Sequence, residues 1–102
     1  MEFGGVDAHT QAVRTQILVI EDDPHIQKIL HRLFREQGYS VTVCGDGQAG
    51  LDAFRSGGQS AVILDLVLPG IFGRDLCKIM KAEQAGVPVI VLSAISEVAD
   101  KV

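Results

Sequence analysis

Four short runs of branched aliphatic residues, separated by stretches whose apolar positions recur every three or four residues, set the plan of the chain. The first run, Ile17-Leu18-Val19-Ile20, is apolar throughout and stops at Glu21-Asp22-Asp23, as a strand covered on both sheet faces requires. Asp23-Pro24 then reads as a helix cap with proline at the first helical position, and Ile26, Ile29, Leu30, Leu33 and Phe34 repeat at helical spacing up to Gly38. That stripe is read as core. Residues 39–44 alternate apolar with polar, the mark of a strand nearer a sheet edge, and a Gly-rich turn leads to a weaker helix over residues 46–55, closed by Gly57-Gly58. Residues 61–66 make a third, buried strand that closes on Asp65, with Leu68-Pro69-Gly70 as a tight turn after it. A helix over residues 73–82, a fourth strand over 87–92 with Pro88 near its start, and Ser96 as the cap of one more helix complete the pattern.

Strands that alternate with helices every ~20 to 26 residues are repeated βαβ units with right-handed crossovers, hence an α/β fold built on a parallel sheet. Residues 1–15 mix Gly, Asp, His, Thr and Gln without apolar periodicity and read as a flexible leader, which leaves residues 16–102 as the folded domain. In such sheets ligands gather at the carboxyl ends of the strands. Those ends carry Glu21, Asp22 and Asp23 after the first strand, Asp65 on the third and Ser93 after the fourth.

Composition narrows the function classes. Of 102 residues, 47% are hydrophobic, enough for one core; aromatics are few, so that core is aliphatic and suits a sheet between helices. A net charge of −4 leaves no basic face able to neutralise several phosphates, which argues against direct nucleic-acid binding by this chain. No apolar run reaches the ~18 residues of a membrane span and the start of the chain lacks a signal peptide's apolar stretch, so the protein reads as cytoplasmic. Cys44 and Cys77 lie in apolar surroundings without paired spacing, as reduced, buried small hydrophobes do.

Converging carboxylates at low dielectric must either hold protons or be neutralised by a cation. Mg2+ fits, because it accepts carboxylate oxygens and keeps positions for water and a phosphate oxygen. A carboxylate beside such an ion can attack phosphorus to give an acyl phosphate. Asp65, rising from a rigid buried strand, is the candidate nucleophile; Glu21 and Asp22 are candidate ligands, and Asp23 is a cap first. The Ser93 hydroxyl can bond a phosphoryl oxygen and pull the following loop inward. His25, one turn away, reads as part of a solvated helix face. Gly45, Gly47 and Gly50 match neither the P-loop nor the dinucleotide spacing.

The segment from Ile17 to Pro24, Val62-Ile63-Leu64-Asp65-Leu66 with Leu68-Pro69-Gly70, and Val89-Ile90-Val91-Leu92-Ser93-Ala94 together resemble the response-regulator receiver family of two-component signalling. The resemblance runs from Ile17 onward. It implies a flavodoxin-like, doubly wound sheet of order 2-1-3-4-5, with Asp65 as phosphoacceptor, Asp22 as a direct Mg2+ ligand and Glu21 as its partner acting mostly through water. It further implies the backbone carbonyl of Val67 as a ligand, Ser93 as the switch hydroxyl and a sensor histidine kinase as phosphodonor.

The family's fifth-strand lysine and aromatic residue have no counterpart before Val102, and Lys101 falls in the predicted fourth helix, so the expectation is a domain of order 2-1-3-4 that stops short of the fifth strand and last helix. Its fourth strand would then be an edge, with Val87, Val89, Ile90, Val91 and Leu92 open to water, which invites a homodimer or segment exchange. Two function classes follow: a phosphorylated signalling switch, which is not a metabolic enzyme, and a phosphorylation-incompetent receiver acting by protein-protein association. An aspartyl phosphohydrolase is disfavoured, since those enzymes resemble Asp-x-Asp after the first strand whereas here Val67 stands two residues after Asp65.

Overall fold

The computed structural model describes residues 15–65 and 73–92. The turn at 68–70, Leu66, Val67, Ser93, Ser96 and the leader through residue 14 lie outside the described residues. The elements run β1 (Gln16–Ile20), α1 (Pro24–Glu36), β2 (Ser40–Cys44), α2 (Gly47–Arg55), β3 (Ala61–Leu64), α3 (Gly73–Glu83) and β4 (Val89–Val91). All pairings are parallel and the strand order is β2-β1-β3-β4, the predicted doubly wound arrangement.

Period-two alternation sends the strand side chains to opposite faces and divides the core. Leu18, Ile20, Val62 and Leu64 meet Leu51 and Phe54 of α2 and Leu76 and Met80 of α3. Ile17, Val19 and Ile63 point the other way, toward Leu30 and Phe34 of α1. Gly50 lets α2 approach β1 closely: a Cβ there would stand 2.5 Å from Ile20 Cδ1. On the same face an Arg55–Glu83 ion pair of 2.7 Å and a bond from Gln84 Nε2 to the Phe54 carbonyl join α2 to α3.

Several boundaries and burial expectations differ from the sequence reading: β1 begins one residue earlier, at Gln16, α2 begins at Gly47 with Asp46 as its cap, and β3 ends at Leu64. β2 starts at Ser40 because the Tyr39 amide still donates to the Phe34 carbonyl, across Gly38 at φ 90°. α3 runs one residue further, to Glu83. β4 is shorter than residues 87–92: the Val87 amide donates to Gln84 in a turn, and Pro88 contributes only its carbonyl, to the Val62 amide. Of the five apolar residues expected open to water there, Ile90 alone is exposed, at 48%; Val87 and Val89 pack on the α2/α3 cluster and Leu92 on the α1 cluster.

The stripe of α1 is core only along one side. Leu30 and Phe34 are half-buried, while Ile26, Ile29 and Leu33 are 38%, 64% and 49% exposed. Strands spaced ~4.8 Å apart make a four-stranded face wide enough for two helices ~10 Å thick. Among the described residues α1 alone covers this face, and the flank of its stripe has no described helix beside it. Cys44 and Cys77 are free, as expected, but half-buried rather than buried.

Candidate functional site

Parallel pairing delivers the carboxyl ends of β1 and β3 to one rim. The ladder extends one residue past each strand: the Glu21 amide donates to the Cys44 carbonyl at 3.0 Å and the Asp65 amide to the Ile20 carbonyl at 3.1 Å. Glu21 and Asp65 therefore leave the sheet side by side from backbone that is hydrogen-bonded on both flanks. Beyond Glu21 the chain turns into α1. Asp23, in extended conformation, accepts from the His25 and Ile26 amides through Oδ1, at 2.8 and 3.4 Å, which makes it the helix cap that the Asp-Pro pair predicts.

The result is an acidic cluster in which carboxylate oxygens of Glu21, Asp22 and Asp65 all lie within 4.8 Å of one another. Glu21 is buried at 2% exposure, Asp65 is half-buried and Asp22 is exposed. An open cleft lined by these three with Asp23, Pro24, His25 and Ile26 gives access from solvent. His25 is exposed on the wall of that cleft, consistent with its reading as a solvated residue.

Burial pushes the Glu21 carboxyl up to about 7, and the charge of Asp65 together with hydrogen bonding to Asp22 and Asp65 adds to the rise; the Asp23 amide, which donates to Glu21 Oε2 at 3.0 Å, works against it. Like charges crowded around a partly desolvated carboxylate favour its neutral form. A bound cation would remove that penalty. Carboxylate oxygens from two strand ends, one buried and two reachable, suit a small hard ion such as Mg2+ and suit a soft metal poorly.

Glu21, Asp22 and Asp65 thus come together as the sequence places them, whereas Val67 and Ser93 fall outside the described residues. A contact that the sequence reading missed is the hydrogen bond from Gln27 Nε2 to the Glu21 backbone carbonyl. Its only trace in the sequence is a polar residue next to Ile26 in the first turn of an amphipathic helix, a pattern shared by any solvated helix position.

Residues 17–102 match the response regulator receiver domain model among protein families. DNA-binding response regulator MtrA of Mycolicibacterium smegmatis is 39% identical over 90 residues, which are 88% of this chain and 39% of that protein. Sensory transduction protein RegX3 of the same organism is 41% identical over 88 residues, 86% of this chain and 38% of its own length. The chain therefore spans under half the length of these curated relatives. Among solved structures, response regulator protein TrrA of Thermotoga maritima, in complex with Mg(2+)-BeF, aligns with TM-score 0.73 and 31% identity over 76% of this chain and 67% of TrrA. The structure of histidine kinase ThkA in complex with TrrA aligns with TM-score 0.71 and 31% identity, over 76% of this chain and 66% of that one. No helix among the described residues is long and apolar enough to cross a membrane.

Proposed function

This chain belongs to the response regulator receiver domain family, and from that premise we propose that Asp65 accepts a phosphoryl group from a phosphohistidine of a sensor histidine kinase. The observation that carries the reading is the convergence of three carboxylates, with Asp65 among them, on an open rim. An Asp65 carboxylate oxygen forms the new bond to phosphorus as the phosphorus–nitrogen bond of the donor breaks, and the electron pair returns to the imidazole, which then takes a proton. The pairing of Asp65 N–H with Ile20 holds the nucleophile's backbone still while the open cleft gives a donor access to it.

Glu21, Asp22 and Asp65 would hold Mg2+, with the Val67 backbone carbonyl as the further ligand that the family implies. When bound, the ion neutralises charge on the transferring phosphoryl group and on the acids around it. The Ser93 hydroxyl is the proposed switch: by bonding a phosphoryl oxygen on Asp65 it would draw the segment after β4 toward the rim. The chain is then a signalling switch working in the cytoplasm. TrrA's complex with a histidine kinase supports the proposed partner, and the Mg(2+)-BeF complex of TrrA supports the proposed ion. MtrA is named as DNA-binding; with a net charge of −4 this chain would reach DNA only through another segment of a longer protein.

A second reading, in which the chain works by association without phosphorylation, draws on Ile26, Ile29, Leu33 and Ile90, which leave apolar surface exposed on α1 and at β4. A homodimer or segment exchange at the β4 edge is its concrete form. Intact-mass measurement after incubation with Mg2+ and a small acyl-phosphate donor separates the two readings. One phosphoryl addition that needs Mg2+ and disappears in Asp65→Asn supports the switch. A folded, Mg2+-binding chain that gains no mass sinks it and leaves association.

A further inference from the structure

The acids of the rim hang on the junction between β1 and α1, and what fixes that junction decides how well they are presented. Asp23 holds the helix end and the Glu21 amide is held by Cys44, yet the Glu21 carbonyl has passed the last ladder pairing and finds no strand partner among the described residues. Gln27 supplies it. Its main-chain amide donates to the Asp23 carbonyl at 2.9 Å as a regular bond of α1, and its side-chain amide reaches back to the Glu21 carbonyl. One residue thereby grips both sides of Asp22.

The side chain of Gln27 comes from behind the site. It lines a groove between α1 and β2 with Lys28, His31 and Val43, away from the cleft that the acids line. Its side-chain amide bonds the backbone carbonyl of Glu21, so it acts on the acids through that backbone. A part-buried carbonyl deprived of its donor turns toward another partner or toward water, and either response rotates the peptide that joins Glu21 to Asp22.

We propose that Gln27 is a positioning residue whose side-chain amide, by holding the Glu21 carbonyl, sets the direction in which the Glu21 and Asp22 carboxylates face the cation. The proposal rests on the metal-binding reading above for its consequence but on the metal-free geometry for its cause. Residues that orient ligands from behind typically change metal affinity ~10- to 100-fold when removed.

The test compares Gln27→Met, which keeps length and loses the donor, and Gln27→Asn, which keeps an amide too short to reach, with Lys28→Met as a control one residue on. In the metal-free 102-residue chain, exchange of the Asp23 amide, which reports the position of Glu21 Oε2, should accelerate about tenfold in both Gln27 variants while the Leu18 amide and the unfolding midpoint stay near wild type. Titration with Mg2+ alone, followed through amide shifts, should show affinity about tenfold weaker in both and unchanged in the control. Wild-type exchange at Asp23 in the Gln27 variants overturns the proposal, as does an Mg2+ affinity within twofold of wild type. If the wild-type chain gives no Mg2+ response while Asp23 exchange still accelerates, the holding role of Gln27 stands and the metal-binding reading fails.

Discussion

The amide of Asp65 donates to the carbonyl of Ile20 over 3.1 Å, and Ile20 is the residue immediately before Glu21. That bond sets the acid that ends β3 beside the acids that end β1, from segments more than forty residues apart in the chain. Both strands continue regular pairing up to this point, Ile20 opposite Leu64, so the acids inherit the rigidity of the sheet.

Removing one carboxylate from the cluster should weaken cation binding in proportion to its contact. Asp22→Asn is expected to lower Mg2+ affinity by about tenfold or more, since Mg2+ is held through few carboxylates. Asp22 is exposed, so stability should change by under ~0.5 kcal/mol. Calorimetric titration with Mg2+ checks it, and wild-type affinity in the variant would take Asp22 out of the ligand set.

Glu21 supplies a pH dependence with a definite sign. Its carboxyl is raised from 4.5 to about 7 in the folded chain, so the folded state holds this proton more tightly than the unfolded state does. The resulting stabilisation is complete below about pH 4.5 and is lost as pH rises through about 7. Between pH 5 and pH 8, with a chelator present, wild type should therefore lose stability relative to Glu21→Gln, whose side chain stays neutral. Mg2+ favours the carboxylate and should bind more tightly across the same window. Urea midpoints of the two proteins at both pH values measure this, and a difference that does not move with pH would contradict it.

Gly50 makes a steric prediction. An alanine there would bring Cβ to 2.5 Å from Cδ1, 2.7 Å from Cγ1 and 3.0 Å from Cγ2 of Ile20, a fully buried side chain with little room to turn. Gly50→Ala should destabilise the fold by about 1–3 kcal/mol despite alanine's better helix propensity. Adding Ile20→Val, which deletes the nearest atom, should recover part of the loss, so that the double mutant is less destabilised than the sum of the singles. Additive losses in chemical denaturation would show that the contact does not limit the approach of α2 to β1.

The exposed flank of α1 predicts self-association of this chain. Ile29→Ser and Leu33→Ser remove apolar surface at 64% and 49% exposure and should cost well under ~1 kcal/mol of stability. If that flank makes the contact, they should lower the sedimentation coefficient measured at high concentration. A wild-type chain that stays monomeric under those conditions, or variants that associate equally, would remove the surface from any interface.

Much of the architecture was legible along the chain because its signals are local. The apolar runs, the Asp-Pro cap and Gly38 fix the order and nature of the elements through propensities that act within a few residues. The rule that parallel sheets gather their chemistry at strand carboxyl ends then points to Glu21, Asp22 and Asp65 before any coordinates are known. Tertiary structure decided how these acids differ: Glu21 sinks to 2% exposure while Asp22 beside it stays in water, because only the former lies in line with the sheet. The same holds for α1, whose single periodic stripe divides into half-buried Leu30 and Phe34 and exposed Ile26, Ile29 and Leu33, since periodicity reports that a face is apolar and not how wide its cover is. Gln27 is the clearest case. Its bond to the Glu21 carbonyl depends on the angle at which a helix leaves a strand, a quantity set by packing across the whole sheet and written in no short stretch of sequence.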